Sequence, residues 1–532
     1  MPEPGPSPRP ARAGFSQLLR VKPLDRLLRE TERPEHQLKR TLGPVQLTAL
    51  GVGAIIGAGI FSSVGTAAAG GEGHLGAGPA LVISFLVVAI ACGFAALCYA
   101  ELAAMVPVSG SAYTFAYATL GELVAWIIGW DLILEYAVSN AAVAVSWSDY
   151  FQVLLRGFGA QLPAWLGTDY RSAVQGAAAL AKAQAEGVDL ATIGAGVLRG
   201  ADALHNAPHL LGLPLILNLP ACGIVMAVTW IVLVGIRETA RFNTSLAVIK
   251  LAIIGFFLVL GAQYVRPEHW APFAPNGLKG IGSAAAIIFF AYIGFDAVST
   301  ASEEARNPQR DMPRAILASL ALCTVVYVAV AVVLTGMVRW DKLGNAEPLA
   351  YAFESLGMPW VAGVIAVGAV VATTSALIPY QVGQPRIFFA MARDGLLPAW
   401  AAKVHPRYRT PHVTTMLTGV FVAVCSSLTN INELVELTNI GTLLAFILVA
   451  VGVVVLRHTA PDCPRPFRAP WVPWVPAFAV VSCAYLMFQL PAKTWLRLGL
   501  WLAVGLVIYF GYSRRRSRLN GPPAATCGGP FS

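Results

Sequence analysis

The amino-acid sequence predicts an all-α integral membrane protein that crosses the bilayer twelve times. Of its 532 residues, 56% are hydrophobic and only 12% are charged, a composition too apolar for a soluble protein. Apolar windows near the length of about 20 residues that a membrane helix needs recur along the chain. The twelve windows are 44–69, 79–106, 122–150, 215–236, 243–264, 280–301, 315–338, 359–382, 413–430, 433–456, 471–491 and 495–512.

The distribution of basic residues predicts how these spans are oriented. With the N-terminus placed inside, 26 Lys and Arg residues lie in cytoplasmic segments, ten lie outside and Lys250 lies within a span. This bias follows the positive-inside rule, so both termini are expected in the cytoplasm of a multi-pass cell-membrane protein. The net charge of +9 is then a consequence of orientation and indicates no nucleic-acid partner.

The chain is expected to form one membrane domain, residues 44–512, between cytoplasmic tails at 1–43 and 513–532. The first 44 residues contain no apolar core of a signal peptide. Residues 157–213 form an outer loop that is longer than most connections. Helical composition at 172–185 and 189–205 predicts two short surface helices in this loop, to which the sequence assigns no role.

A glycine-rich apolar run, GVGAIIGAGIF at 51–61, lies in the first span. Each glycine costs about 1 kcal/mol relative to alanine inside a helix, so the run weakens the helix locally. One interpretation is a packing face, because Gly53 and Gly57 have GxxxG spacing. The other is a broken helix whose free backbone groups bind a ligand.

The sixth span favours the second interpretation, because it is also interrupted by a glycine, Gly294. Spans one and six open two successive units of five spans, and an odd number of spans makes the second unit inverted. Matching interruptions in two such units indicate a binding site at the membrane midplane. A helix N-terminus suits a carboxylate, and unwound carbonyls suit an ammonium group. Together they predict a site for a zwitterion such as an amino acid.

Ionisable residues within the spans are the other candidates for function, since burying them in a membrane is costly. Glu135 lies about 13 residues into the third span, roughly 20 Å deep, and Asp131 lies one turn earlier on the same face. Glu135 is interpreted as a structural carboxyl, as a counter-charge for a basic substrate or as a proton carrier. Lys250 either extends to the membrane surface or faces the bundle and exchanges a proton. Asp296 could bond free N–H groups at the break or pair with Lys250.

Catalytic motifs are absent from the sequence. It contains no phosphate-binding glycine loop and no paired metal ligands, and its His residues lie only near span ends or in loops. We therefore expect neither an enzyme nor an ATP-driven pump, with no metal, no cofactor and no obligate protein partner.

Six motifs together resemble the amino acid–polyamine–organocation superfamily, and among its members the bacterial homologues of the cationic amino acid transporters. They are GVGAIIGAGIF (51–61), GWDLILEYAV (129–138), GIRETARFN (235–243), IKL (249–251), FFAYIGFDAVST (289–300) followed by EEARNPQRDMP, and RIFFAMARDGLLP (386–398). The likeness covers roughly residues 38–510 without the insertion at 160–212. The enlarged outer loop, and Pro385 in place of an expected threonine, depart from the family pattern.

The resemblance implies a LeuT-type fold, in which a 5+5 inverted repeat with broken helices 1 and 6 is followed by two further helices. It also implies that the glycine motif around Gly57 binds the substrate carboxylate through the N–H groups of Ala58 and Gly59, and that the ammonium group is bound by carbonyls around Ile55, Phe290, Ala291 and Ile293. Phe295 would cover the site as an aromatic lid, and Glu135 would face the side-chain pocket. Lys250 would couple transport to protons, with Asp131 and Asp296 in support.

The function expected from the sequence is proton-coupled uptake of L-amino acids by alternating access. Arginine and lysine are the first choice of substrate, because Glu135 and Asp131 offer negative charge. The alternatives are a symporter for small neutral amino acids and an amino acid exchanger. A non-transporting nutrient sensor and a membrane enzyme are less favoured, because neither a signalling domain nor a catalytic cluster is found.

Overall fold

The computed structural model describes residues 18–23, 42–71, 73–106, 111–187, 194–210, 212–234, 240–408 and 410–520. These residues are mostly helical. Most of the predicted N-terminal tail and the end of the C-terminal tail lie outside the described residues, as does the start of the GIRETARFN motif. The helices are α1 Pro44–Ile55, α2 Gly59–Ala69, α3 Leu81–Met105, α4 Ser111–Thr119, α5 Glu122–Gly157, α6 Tyr170–Ala185, α7 Ala195–His205, α8 Leu219–Val234, α9 Ala240–Gly261, α10 Gly277–Ile288, α11 Ala297–Thr300, α12 Pro308–Met337, α13 Pro348–Glu354, α14 Pro359–Arg393, α15 His412–Leu428, α16 Ile431–Thr459, α17 Trp474–Phe488 and α18 Ala492–Ile508.

Each of the twelve predicted windows contains an apolar helix. Within the described ranges, seven helices are long and apolar enough to cross a membrane, and α1 with α2 makes an eighth candidate. Four shorter apolar helices, at Leu219–Val234, Gly277–Tyr292, His412–Leu428 and Trp474–Phe488, occupy the remaining windows. These four are shorter than the roughly 20 residues of a full span, so the twelve-span count and the inverted repeat stay predictions.

Helix α5 lies at the centre of the bundle, where it packs against α14 and α16. In its apolar window 89% of the residues are buried by protein, compared with 22% in the window of α18. The apolar side chains of α18 therefore face outward, as expected of a helix at the lipid boundary. The acidic residues of α5, by contrast, are enclosed by other helices.

The long outer loop contains the two predicted surface helices, α6 and α7. The first starts at Tyr170 and the second at Ala195, while residues 188–193 lie outside the described part of the chain. The loop has its own small core, Ala173, Ala203, Ala207 and Ile216. Two antiparallel strand pairs complete the described fold, β1 Gly70–Gly71 with β2 His74–Leu75, and β3 His209–Leu210 with β4 Leu213–Pro214.

Candidate substrate site

The first apolar window is interrupted inside its glycine run. Helix α1 ends at Ile55, and the next residue, Ile56, has an extended backbone with φ −76° and ψ 99°. Helix α2 begins at Gly59 with a π-helical turn, and its axis is bent by 43° from that of α1. The first N–H groups of α2 and the last carbonyls of α1 therefore have no partner within a regular helix.

A second interruption lies in the sixth window. Helix α10 ends at Ile288 and passes through a 3₁₀ turn, Phe289–Tyr292, before the chain becomes extended at Ile293. Gly294 has φ +123°, a conformation that is essentially confined to glycine. The Gly294 N–H donates to Asp296 Oδ1 at 3.2 Å. Of the two roles considered for Asp296, this contact is the bond to a free N–H group.

The two interruptions lie against each other, backbone to backbone. A Cβ atom on Gly294 would stand 2.8 Å from the carbonyl carbon of Ala54. Gly59 in turn packs directly on the backbone of Ala291. Contacts this close are possible only where a side chain is missing, so both glycines are needed for the breaks to meet.

Side chains from two neighbouring helices bond the carbonyls at the end of α1. Lys250 Nζ, from α9, donates to Gly53 O at 2.5 Å and to Ile56 O at 2.8 Å. Tyr327, from α12, donates its hydroxyl to Ile55 O at 3.0 Å. Lys250 has no exposed surface and so faces the bundle instead of extending to the membrane surface. Unwound backbone inside a membrane protein requires such partners.

A small cavity of about 10 Å³ lies where the breaks meet, roughly the room that one water molecule needs. Because this volume is far below the roughly 300–1,000 Å³ of ligand pockets, the breaks and the side chains around them have to separate before a substrate can enter. Six residues singled out from the sequence are in its lining: Ile55, Gly57, Ala58, Gly59, Phe290 and Ile293. Four further residues line it that were not singled out from the sequence: Ala54, Val143, Ala376 and Tyr380. Small and apolar residues within apolar spans have no sequence feature that marks them as cavity-lining. The hydroxyl of Tyr380 is a weak indication of this kind.

The other candidate residues are not part of this lining. The backbone of Ala291 packs against Gly59. The ring of Phe295 packs against that of Phe446, with 5.0 Å between the two ring centroids. Glu135 faces Thr442 of α16, whose hydroxyl donates to the Thr438 carbonyl at 3.0 Å. The Asp131 carboxyl faces the same helix, since a Cβ on Gly441 would stand 2.9 Å from Asp131 Oδ1.

Both acids are buried, with 1% of Asp131 and 2% of Glu135 exposed. Within the described residues, neither Asp131 oxygen nor Glu135 Oε2 has a hydrogen-bond partner. Glu135 precedes the cavity residue Val143 by eight positions, about 12 Å along α5. The acids are therefore directed towards α16, and the cavity lining in the described part of the chain contains no charged side chain.

The site thus combines free backbone groups with apolar side chains. N–H groups at the start of α2 can bind a carboxylate, and carbonyls at the ends of α1 and α10 can accept from an ammonium group. Side chains of Val143, Phe290 and Ile293 also line the cavity. This chemistry fits a small zwitterion.

Comparison with known proteins gives a consistent family. A family model described as "Amino acid permease" matches residues 42–509. The methylthioribose transporter of Bacillus subtilis (strain 168) is 44% identical over 506 residues, covering 95% of this chain and 100% of that protein. The branched-chain amino acid permease BcaP of the same strain is 46% identical over 487 residues, covering 91% and 96%.

A plant protein, the vacuolar cationic amino acid transporter 4 of Arabidopsis thaliana, is 34% identical over 460 residues, which is 84% of this chain and 68% of that protein. The names of these three relatives state three different substrates. All three are transporters, which agrees with the expectation that this chain is not an enzyme.

Proposed function

The chain belongs to the amino acid permease family, and from this we propose that it takes up neutral, aliphatic L-amino acids together with protons. The protein is a multi-pass membrane protein that acts on a small-molecule substrate. The proposed location is the cell membrane, with both termini in the cytoplasm. The energy source is the proton gradient, and no bound cofactor is required.

The single observation that carries this proposal is the backbone contact between the two helix breaks, whose N–H and carbonyl groups border a small cavity. Ala58 and Gly59, at the start of α2, present N–H groups to the substrate carboxylate. The Ile55 carbonyl already accepts from Tyr327, and a carbonyl oxygen has a second lone pair for the substrate ammonium. A substrate that lacks either group would leave one half of the site unpaired, which costs affinity.

The proposed preference for an aliphatic substrate side chain rests on the protein side chains next to the two breaks. Val143 and Ala376 approach the cavity from α5 and α14, and Ile293 and Phe290 from the sixth span. An uncompensated guanidinium or ammonium side chain in such surroundings is strongly disfavoured. An aliphatic side chain instead gains the transfer free energy of its buried surface.

Proton coupling is assigned to Lys250. Its ammonium group holds two carbonyls on the α1 side of the break, Gly53 O and Ile56 O. Loss of the proton converts these charge-assisted bonds into weaker neutral ones. The orientation of the break, and with it the substrate site, would then depend on the protonation of Lys250.

A counterflow assay tests the substrate class. Proteoliposomes that contain the purified protein are loaded in turn with leucine, valine, alanine, arginine or lysine, and exchange with labelled substrate outside is measured. We expect exchange with leucine, valine and alanine and little with arginine. Robust arginine exchange without leucine exchange would overturn the neutral preference, and absence of exchange with any amino acid would overturn the proposal. Uptake driven by an imposed pH gradient then separates symport from pure exchange.

The second candidate is transport of cationic amino acids, the first choice from the sequence alone. It is favoured by the buried carboxyl groups of Asp131 and Glu135, which have oxygens without partners in the described residues. For this function, a substrate side chain would have to reach past the apolar lining towards α16. The same assay decides between the two candidates.

A further inference from the structure

The short hairpin β1–β2 follows α2 directly and contains a buried histidine. His74, in β2, is 7% exposed, although it lies outside the apolar windows and on the side predicted to face outward. Because the hairpin continues from α2, any movement of α2 at the substrate site displaces this histidine as well.

His74 bonds a carboxylate on another helix. Its Nε2 atom lies 2.6 Å from Oε1 of Glu436, in α16. The second oxygen of Glu436 accepts from the Thr494 hydroxyl of α18, also at 2.6 Å. Nδ1 of His74 is buried and has no partner in the described residues. The imidazole is therefore bonded on one side only, to an acid.

Among the basic side chains around this pair, His74 lies closest to Glu436. Arg497 of α18 and Arg171 of α6 both bond Glu433, one turn before Glu436, at 3.1 and 2.6 Å. Arg497 acts on Glu436 only at longer range. Helix α10 also packs against the hairpin, and its Ser283 Oγ accepts from the Leu75 N–H at 3.2 Å. Glu72 lies outside the described residues.

The pair joins parts of the molecule that must separate if α2 moves. Helix α2 supplies N–H groups to the substrate site, whereas Glu436 and Thr494 belong to α16 and α18. A second side-chain bond between the same regions, Thr66 Oγ1 to Asn432 Oδ1 at 3.2 Å, lies near the start of α16. Both contacts hold the outer half of the broken span against α16.

We propose that His74 and Glu436 form an external proton-binding site that holds α2 against α16 when it is occupied. Histidine is the side chain that ordinarily changes charge between pH 5 and 8. A hydrogen bond between charged partners is roughly twice as strong as one between neutral partners. Acidification outside therefore stabilises the position in which α2 is held against α16. This site is separate from Lys250 and does not depend on which substrate is transported.

Hydrogen–deuterium exchange of the purified full-length protein tests the proposal without a transport assay. Exchange of segment 64–77 is measured at pH 5.5 and 8, with times scaled for the intrinsic pH dependence of amide exchange. In the unmodified protein we expect about fivefold more opening at pH 8 than at pH 5.5. In His74→Gln and in Glu436→Gln the ratio should fall to about one, with no further change in the double variant.

The matched control is His269→Gln. His269 also lies on the predicted outer side, but its Nδ1 is bonded to the Gly336 carbonyl at 2.9 Å and not to an acid. This variant should keep the fivefold ratio. The proposal is overturned if His74→Gln keeps the ratio, if His269→Gln loses it to the same extent, or if the unmodified protein shows none.

Discussion

Gly59 and Ala291 lie in direct backbone contact across the two helix breaks. A Cβ atom placed on Gly59 would stand 2.3 Å from Ala291 Cα and 2.6 Å from Ala291 Cβ. Neither atom belongs to a flexible side chain that can turn away. The first break can therefore pack on the second only with glycine at position 59.

We expect Gly59→Ala to abolish amino acid uptake and to destabilise the protein. Overpacking a filled interior costs about 1–3 kcal/mol and displaces the backbone, here at the N–H groups proposed to bind the carboxylate. Uptake and thermal unfolding of the purified variant measure both effects. The control is Gly93→Ala in α3, where nothing lies within 4 Å of an added Cβ. Normal uptake by Gly59→Ala would show that the breaks need not touch.

Removal of the Lys250 side chain separates binding from proton coupling. Lys250→Ala loses both bonds to the Gly53 and Ile56 carbonyls, so we expect pH-driven uptake to stop. Counterflow, which needs no net proton movement, should continue at a reduced rate. Lys279→Ala, at an exposed position on the predicted outer side, serves as the control. Uptake by Lys250→Ala that still follows an imposed proton gradient would exclude this lysine as the coupling group.

Substitution of Glu135 discriminates between the two substrate classes. Because the Glu135 carboxyl faces Thr442 of α16 and is absent from the cavity lining, Glu135→Gln should change the KM for leucine by less than about threefold. A side-chain counter-charge would instead make the loss for arginine at least about tenfold larger than for leucine. Inhibition of leucine exchange by each amino acid provides the measurement.

Ala376 is the residue that we expect to limit the size of the substrate side chain. It lines the cavity, and its Cβ lies 3.4 Å from the position that a Cβ on Gly57 would take. Ala376→Val should therefore weaken leucine about tenfold and alanine little, since one or two methylene groups in a pocket are worth about 1–3 kcal/mol. Competition assays with alanine, valine and leucine measure the series. A uniform loss for all three would place Ala376 outside the side-chain pocket.

The sequence predicted much of the architecture because its signals are local. Apolar windows and the distribution of Lys and Arg are properties of single segments and of their order along the chain. The glycine run at 51–61 and Gly294 likewise indicated two breaks, because glycine weakens a helix wherever it stands. Interruptions were therefore expected at these positions before any packing was known.

Properties that depend on helix rotation could not be obtained in this way. Whether Lys250 reaches the membrane surface or the Ile56 carbonyl depends on which face of α9 meets α1. Glu135 and Asp131 share one face of α5, but only the packing of α5 shows that this face meets α16 at Gly441 and Thr442. An apolar residue such as Val143 has no feature in sequence that separates a cavity wall from an ordinary helix contact.

For this protein, then, the sequence by itself determined the membrane class, the helix order, the two breaks and the family. The tertiary structure alone decided that the breaks touch through Gly59 and Ala291, that Lys250 bonds the freed carbonyls, and that the described cavity lining contains no charged side chain. The physical reason is that backbone propensity and hydrophobicity act within a segment, whereas close approach and hydrogen-bond pairing exist only between segments.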